Sequence, residues 1–266
     1  MLTSVKNPFV KQLKQLQRAK GRHEQQHMLL EGTHLIEEAC AAGMSFTALC
    51  HTPDWAMHYP QLWERAIAQS ARCEVVSPDV LKAIATTMTP DGVVATMDRT
   101  QLTHTIPQPT RLGLALETLQ DPGNLGTLIR TAAAVGVDGL WLSSDSVDLD
   151  HPKVLRASAG QWFRLPMGVV ADLPTQVAEW RSHPNHQVVA TLPTAQQIYW
   201  TVDFTRPTLL LLGNEGAGLS PALSALADVS VTIPLAPGVE SLNVAIAAAV
   251  ILYEAQRQQA QMGNPS

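Results

Sequence analysis

Cysteine and long apolar runs are scarce in this sequence, and their scarcity excludes several classes of protein. The 266 residues contain three cysteines, Cys40, Cys50 and Cys73, and no C-x-x-C pair. An odd number of scattered cysteines fits reduced thiols in a cytosol, where they serve as small buried hydrophobes. No apolar stretch approaches the ~20 residues that span a bilayer, and the basic, polar start lacks the apolar core of a secretory signal. We therefore expect a cytoplasmic protein without a membrane segment.

Several familiar catalytic motifs are also missing. No glycine-rich loop ends in Gly-Lys-Ser/Thr, no G-x-S-x-G occurs, and the glycines of residues 213–218 do not form G-x-G-x-x-G. A P-loop, a hydrolase elbow and a standard dinucleotide site are therefore not expected. Residues 23–27 match H-E-x-x-H, but Leu30 and Thr33 stand where the extended metalloprotease pattern has Gly and His. We interpret this segment as an exposed polar turn and expect no metal.

The charge distribution leaves two interpretations open. A net charge of −5 argues mildly against a nucleic-acid partner. The first 22 residues nevertheless contain no acidic side chain and six basic ones: Lys6, Lys11, Lys14, Arg18, Lys20 and Arg22. Such a cluster is either a solvated helix surface or a local site of RNA contact.

Apolar periodicity predicts two α/β domains. In residues 1–98, helical patterns alternate with short apolar runs, which is typical of a small α/β domain. Residues 99–110 contain two prolines and little apolar pattern, which indicates a linker. In residues 111–266, apolar runs separated by helical segments predict a parallel sheet covered on both faces; these runs are 112–116, 139–142, 188–190, 209–212 and 229–233.

The first segment that carries chemistry is residues 117–130, Glu-Thr-Leu-Gln-Asp-Pro-Gly-Asn-Leu-Gly-Thr-Leu-Ile-Arg. Asn124 stands where a helix N-cap belongs, and Thr127 and Arg130 follow on one helical face. A helix N-terminus attracts anions, and an arginine can bind a phosphate through two hydrogen bonds. A capped structural helix is the alternative, but it gives no purpose to the glycines at 123 and 126.

Two further segments place glycines and polar residues after apolar strands. Residues 209–221 run from an apolar strand into a loop with three glycines around Glu215, followed by Ser220-Pro221 at a helix start. Loops at the carboxyl ends of strands are the usual ligand positions in α/β sheets. Residues 233–249 lead from a strand through a Pro/Gly loop to a helix of small residues that begins near Ser241 and Asn243.

In this order, the three segments resemble the SpoU–TrmH family of RNA ribose 2′-O-methyltransferases, in the SPOUT superfamily. The resemblance covers most of residues 111–256, including 153–166, and Asn7-Pro8 with Glu31-Gly32 resembles the family's substrate-binding domain. It implies a C-terminal parallel-sheet α/β domain with a deep trefoil knot, preceded by a small ribosomal-protein-L30e-like α/β domain. It also implies S-adenosylmethionine as cofactor, a homodimer through the C-terminal domain, and 2′-O-methylation of ribosomal RNA of the 23S type.

The resemblance assigns roles residue by residue. Arg130 would activate the ribose hydroxyl by orienting it and stabilising negative charge, since an arginine pKa above ~12 makes a poor base. The implied catalytic residues are Asn124, Arg130, Glu215, Ser241 and Asn243. The implied cofactor-binding residues are Leu192, Gly213, Asn214, Glu215, Gly218, Ile233, Leu235 and Leu242. The implied RNA-binding residues are Lys6, Lys11, Lys14, Arg18, Lys20, Arg22 and Arg130.

Other functions remain open at this point. The substrate could be tRNA, or the chain could be a non-catalytic RNA-binding relative, although such a relative would be favoured only if Asn124 or Arg130 were missing. Transfer to a base nitrogen ranks lower, because those knotted enzymes lack the Asn124, Arg130 and Ser241-Leu-Asn243 signatures. The last alternative is an α/β enzyme that acts on a small molecule and has no RNA partner. It does not explain the N-terminal domain and its basic cluster.

Overall fold

The computed structural model describes residues 1–101 and 107–262. These residues fall into two compact units: residues 1–101 with Asp148–Arg164 form the first, and 107–147 with 165–262 form the second. The division into 1–98, 99–110 and 111–266 stays a prediction, and part of its linker, 102–106, lies outside the described residues. Among the described residues, no helix is long and apolar enough to cross a membrane.

The first unit is built on a four-stranded sheet in the order β1-β4-β2-β3. Strand β4 is antiparallel to β1 and to β2, whereas β2 and β3 are parallel. Leu29 and Val94 from the sheet pack into one buried cluster with Val10, Leu13 and Leu81 from two helices. The strands are β1 (His27–Glu31), β2 (Ala48–His51), β3 (Cys73–Val75) and β4 (Val93–Asp98).

Helix α1 of the first unit begins at a local capping signal. Asn7 accepts a hydrogen bond from the Phe9 backbone N–H at 2.9 Å, and Pro8 occupies the first helical position of α1. Gln26 ends α2 in the left-handed conformation, with φ of 53°. The helices are α1 (Pro8–Gln15), α2 (Ala19–Gln25), α3 (Thr33–Ala41), α4 (Pro53–His58), α5 (Pro60–Ala68), α6 (Pro78–Ile84) and, later in the chain, α8 (Pro152–Ala157).

The H-E-x-x-H match is exposed at three of its five positions, as expected, but it forms the end of a helix and the start of a strand rather than a single turn. His23 lies in the last turn of α2, whereas His27 is the first residue of β1. The left-handed Gln26 separates them, so the two imidazoles do not share a helical face. The His23 ring lies 3.3 Å from the Asp148 carboxylate instead.

The cysteines also differ in part from expectation. Cys40 and Cys50 are buried, and burial raises the pKa of the Cys50 thiol to about 12. Cys73 is exposed because its strand, β3, lies at the edge of the sheet. The prediction of a buried thiol was therefore wrong for Cys73.

Buried charges explain why Asp148–Arg164 belongs to the first unit. Arg22 is 1% exposed, and its guanidinium lies 2.8 Å from Asp148 and 3.3 Å from Asp150. Arg156 lies 3.1 Å from Glu31, which is 3% exposed. A buried charge is tolerated when it is paired, so separating this segment from the sheet would leave several charges uncompensated.

The second unit is built on a seven-stranded parallel sheet in the order β7-β6-β5-β10-β8-β11-β9. The apolar runs expected as strands form β5, β6, β8, β10 and β11, and every residue of β5, β6 and β10 is buried. The strands are β5 (Leu112–Leu116), β6 (Gly139–Ser143), β7 (Met167–Val170), β8 (Gln187–Thr191), β9 (Gln197–Ile198), β10 (Thr208–Leu212) and β11 (Val229–Thr232).

The helices of the second unit cover this sheet. Asp121, rather than Asn124, caps α7, because its carboxylate accepts the N–H groups of Gly123 and Asn124 at 2.7 and 2.9 Å. The prediction of Asn124 as the N-cap was wrong by one turn, and its amide is left available for other contacts. Helix α11 packs against α7. The helices are α7 (Pro122–Val135), α9 (Leu173–Arg181), α10 (Pro221–Ser224) and α11 (Val244–Met262).

Candidate functional site

A cavity of about 770 Å³ lies where four neighbouring strands of the parallel sheet end. Its lining residues follow β8, β10 and β11, and Asn124 reaches it from α7, the helix after β5. The strands β5, β10, β8 and β11 are consecutive in the sheet, and parallel strands present their carboxyl ends at one edge. The topology therefore brings together loops that are far apart in the sequence.

Glu215 connects the loop after β10 to the loop after β5. Its carboxylate accepts hydrogen bonds from the backbone N–H groups of Gln120 at 3.3 Å and Asp121 at 3.2 Å, and from Asn124 Nδ2 at 3.1 Å. Burial alone would raise the pKa of Glu215, but the hydrogen bonds from Asn124 and the two backbone amides hold it below its ordinary value of 4.5. Glu215 is therefore ionised near neutral pH and acts as a hydrogen-bond acceptor.

Asn124 extends this hydrogen-bond network to the start of α11. Its Nδ2 donates to Glu215, so its Oδ1 is free to accept a hydrogen bond from Asn243 Nδ2 at 2.9 Å. Asn243 Oδ1 in turn accepts the Ala245 backbone N–H at 2.9 Å, in the first turn of α11. One chain of hydrogen bonds thus joins all three segments that the sequence singled out.

The glycine loop after β10 is shaped by Asn214. Its Nδ2 donates to the Thr118 carbonyl at 2.8 Å, and its Oδ1 accepts the backbone N–H groups of Gly216 and Ala217 at 2.9 Å. A Cβ on Gly213 would lie 2.1 Å from the backbone carbonyl carbon of Gly218, so the two backbone segments meet only because residue 213 is glycine. The loop therefore presents backbone N–H and C=O groups to the cavity.

The residues that line the cavity lie within a stretch of the chain that matches a known protein family. Residues 111–253 match the SpoU rRNA Methylase family. The chain belongs to this family. Residues 7–95 match the MRM3-like substrate binding domain. The family and the N-terminal substrate-binding domain predicted from the motifs are therefore confirmed, and with them the enzyme class of methyltransferase.

Individual relatives of the SpoU family cover nearly the whole chain. An uncharacterised tRNA/rRNA methyltransferase of Synechocystis sp. is 50% identical over 264 residues, which cover 99% of this chain and 96% of that protein. The 23S rRNA (guanosine(2553)-2′-O)-methyltransferase RlmP of Bacillus subtilis is 34% identical over 254 residues, with 95% and 97% covered.

A solved structure supports the fold and the cofactor. The AdoMet-bound rRNA methyltransferase from Sinorhizobium meliloti superposes with a TM-score of 0.83 and 32% identity, over 96% of this chain and 97% of that one. This likeness confirms the α/β class with a parallel sheet. The prediction of S-adenosylmethionine as the family's cofactor agrees with the molecule bound to that relative.

The eight residues predicted to bind the cofactor all line this cavity. They are Leu192, Gly213, Asn214, Glu215, Gly218, Ile233, Leu235 and Leu242. Four of the five predicted catalytic residues line it as well, namely Asn124, Glu215, Ser241 and Asn243. Arg130 does not line it; its side chain is exposed on α7, six residues beyond Asn124.

Sequence reasoning missed one polar side chain in this cavity. Thr191 ends β8, and its hydroxyl is buried without a hydrogen-bond partner among the described residues. A buried hydroxyl normally finds a partner, so this atom offers a donor and an acceptor to a bound molecule. Its position directly before Leu192, at the end of an apolar run, was the available signal. The site therefore suits a cofactor with both polar and apolar parts.

The basic N-terminal residues divide into two groups. Five of the six side chains are exposed: Lys6, Lys11, Lys14, Arg18 and Lys20. Arg22 is instead buried against Asp148 and Asp150, so its guanidinium is not presented to RNA. The prediction of an RNA contact by Arg22 is corrected on this ground. Its acidic partners lie more than a hundred residues further along the chain, where helical periodicity carries no information about them.

Proposed function

We propose that this protein transfers the methyl group of S-adenosylmethionine to a ribose 2′-hydroxyl of ribosomal RNA, of the 23S type. The observation that carries the proposal is the chain of hydrogen bonds from Glu215 through Asn124 to Asn243 at the edge of a 770 Å³ cavity, in a member of the SpoU family. The name of the Bacillus subtilis relative, which specifies 2′-O-methylation of 23S rRNA, supports the same activity.

The cavity residues fit the proposed cofactor by their chemistry. When bound, S-adenosylmethionine supplies an electrophilic methyl group on a sulfonium. The backbone of residues 213–218 and the unpartnered Thr191 hydroxyl would hold its polar groups. Leu192, Ile233 and Leu242 would contact its apolar surface and exclude water.

The catalytic residues of this chain would act on the incoming ribose. A free 2′-hydroxyl is a weak nucleophile and has to be positioned and stripped of its proton. Arg130 would orient the hydroxyl and stabilise developing negative charge, because a guanidinium does not accept a proton at neutral pH. Glu215 would position Asn124, and Ser241 and Asn243 would complete the site from the start of α11. The proton would pass to an RNA phosphate or to solvent.

Docking of the RNA would rely on the first unit. Its exposed basic residues, Lys6, Lys11, Lys14, Arg18 and Lys20, form a positive region on a protein with a net charge of −5. Phosphate contacts of this kind fix the position of an RNA without reading its sequence. A cytoplasmic location is part of the same proposal.

We also propose the trefoil knot, the ribosomal-protein-L30e-like fold of the N-terminal domain and the homodimer that the family resemblance implies. The chain leaves β11, three strands away from β5, and returns to pack α11 against α7, the helix that follows β5; this path suits a knotted return. Exposed apolar side chains near α11 suit a subunit interface. They are Val239, Leu242, Ile246 and Tyr253.

Transfer of labelled methyl from S-adenosylmethionine to total RNA of a strain that lacks the gene tests the proposal. Label on a ribose of 23S rRNA is the expected result, and nuclease mapping identifies the nucleotide. Label on tRNA alone would show that the substrate is tRNA rather than ribosomal RNA. A protein that binds the cofactor but labels no naked RNA or ribosomal particle would contradict the enzymatic function.

A further inference from the structure

A second cavity, of about 480 Å³, lies within the first unit. It is formed by α4, by Tyr59 between α4 and α5, by α6 and by the turn before β4. We call it the Tyr59 cleft and define it by six of its lining residues: Asp54, Trp55, Tyr59, Lys82, Asp91 and Gly92. Its volume is in the ~300–1,000 Å³ range of small-ligand pockets.

We propose that the Tyr59 cleft binds one unpaired nucleobase of the RNA substrate, and that it prefers a base with an amino group over uracil. This inference rests on the proposed RNA function and adds a specific docking site to it. It concerns a contact distinct from the basic residues of the first 22 positions, which would meet phosphates.

Aromatic side chains give the cleft a surface for stacking. The Tyr59 side chain is 45% exposed, and its ring centroid lies 5.9 Å from that of Trp55, which is 2% exposed. Trp55 is held in place because its Nε1 donates to Thr33 Oγ1 at 2.9 Å. Unpaired RNA bases are commonly recognised by stacking on exposed aromatic rings, which accept any base.

Gly92 fixes the backbone of the cleft beside Trp55. Its φ is +111°, which favours glycine, and a Cβ there would lie 2.7 Å from Trp55 Cβ. Its carbonyl accepts the Thr52 backbone N–H at 2.9 Å, and the neighbouring Asp91 accepts the Thr33 N–H at 2.8 Å. The cleft is therefore formed before any ligand arrives, which lowers the entropic cost of binding.

The polar groups of the cleft set the preference for a base. Asp54 and Asp91 are exposed carboxylates, which accept hydrogen bonds and do not donate them when ionised. They match the amino groups of guanine, adenine or cytosine, and guanine adds a ring N–H beside its amino group; the two carbonyl oxygens of uracil would be repelled. Lys82, the basic residue of this set, can contact the phosphate of the same nucleotide.

Binding of short single-stranded RNAs tests the proposal in the full-length protein. The probes are an oligouridine and the same oligomer with one central guanosine, titrated at one fixed salt concentration because electrostatic binding depends on salt. Wild type should bind the guanosine probe more tightly. Tyr59→Ala should weaken its binding about ten-fold, equivalent to ~1.4 kcal/mol, whereas Tyr59→Phe should keep it. The matched control is Met57→Ala, which lies on α4 two residues before Tyr59 and is 71% exposed but outside the cleft.

The Asp54 carboxylate provides a readout that a merely structural role would not change, whereas Asp91 also holds the Thr33 N–H. Asp54→Asn should weaken the preference for guanosine while oligouridine binding stays equal or becomes tighter, since a negative charge is removed. Equal binding by Tyr59→Ala and Met57→Ala would overturn the proposal, as would an unchanged guanosine preference in Asp54→Asn. If free guanosine monophosphate bound the cleft with the same affinity as the RNA probe, the ligand would be a free nucleotide, and the proposal that the base comes from RNA would be overturned.

The outcome is separable from that of the proposed function. Methyl transfer by wild type to ribosomal RNA, with no effect of Tyr59→Ala on binding or KM, refutes the cleft alone. Absence of methyl transfer by wild type, with guanosine-dependent and Tyr59-dependent binding intact, refutes the enzymatic proposal and leaves the cleft as a base-binding site.

Discussion

Replacing Glu215 by glutamine tests whether this carboxylate sets the geometry of the proposed site. The carboxylate accepts three hydrogen bonds, from Gln120 N–H, Asp121 N–H and Asn124 Nδ2, over 3.1–3.3 Å. A glutamine amide has one oxygen and an NH2 group, so it must turn a donor toward at least one of these three donors. The Glu215→Gln side chain has nearly the same size, and its effect therefore reports hydrogen bonding rather than packing.

The expected magnitude follows from these contacts. The hydrogen bonds are long and Glu215 is exposed, so each is assigned the low end of the usual range, ~0.5–1 kcal/mol. The glutamine variant loses one of these hydrogen bonds and brings two donors face to face. Together these two effects cost ~1–2 kcal/mol. Because ~1.4 kcal/mol corresponds to a tenfold change in rate, we expect kcat to fall about 5- to 30-fold. The free energy of unfolding should change less, since the loop lies at the surface.

The assay is methyl transfer to ribosomal RNA at saturating cofactor, combined with calorimetric titration of S-adenosylmethionine. The matched control is Glu179→Gln, which removes an exposed carboxylate from α9 of the same unit. A double-mutant cycle with Asn124→Ala should be non-additive, because Glu215 is proposed to act through that amide. A kcat within twofold of wild type, or additive effects in the cycle, would refute the positioning role of Glu215.

Three further predictions concern the hydroxyl, the cofactor loop and pH. Arg130→Ala should abolish methyl transfer with cofactor affinity near wild type, and activity within a few-fold of wild type would remove Arg130 from its role. Gly213→Ala should reduce cofactor affinity at least about tenfold, since its Cβ would meet the Gly218 backbone at 2.1 Å, and an affinity within twofold of wild type would rule out this loop as the cofactor site. Burial alone would raise the pKa of Glu31, but hydrogen bonds from Thr87 and Thr86 and the charge of Arg156 hold it below 4.5. Its stabilising effect is therefore present at neutral pH and lost as pH falls through the folded-state pKa, so Glu31→Gln should cost ~1–3 kcal/mol at pH 7 and less at pH 3–4, measured by urea unfolding. An equal loss at both pH values would contradict this assignment.

The elements that could be predicted are those with strong local signals. The apolar run 112–116 became β5 with the expected bounds, because a strand buried on both faces has to be apolar throughout. Strand β7 (Met167–Val170) was not anticipated, since it is four residues long and follows a loop rather than a marked turn. The cap of α7 was assigned to Asn124 instead of Asp121 because both are good capping residues three positions apart.

For the candidate site, the residues could be identified but their connections could not. Motif matching selected Asn124, Glu215 and Asn243, and the structure joins them by hydrogen bonds that span 91 and 119 residues. Nothing local indicates which atom of the Asn124 amide faces which partner. That choice is fixed by the carboxylate, which accepts hydrogen bonds and leaves the amide oxygen to face Asn243.

The sequence by itself determined the family, the parallel-sheet class and the segments that carry chemistry, because these depend on local periodicity, turn residues and short motifs. Only the tertiary structure decided that Arg22 is buried in an ion pair, that Asp148–Arg164 belongs with the first unit, and that Tyr59 borders a cleft. The physical reason is that burial and charge pairing depend on residues far apart in the chain. Helical spacing places Arg22 among exposed lysines, whereas the two aspartates that neutralise it enter its surroundings only when the chain folds.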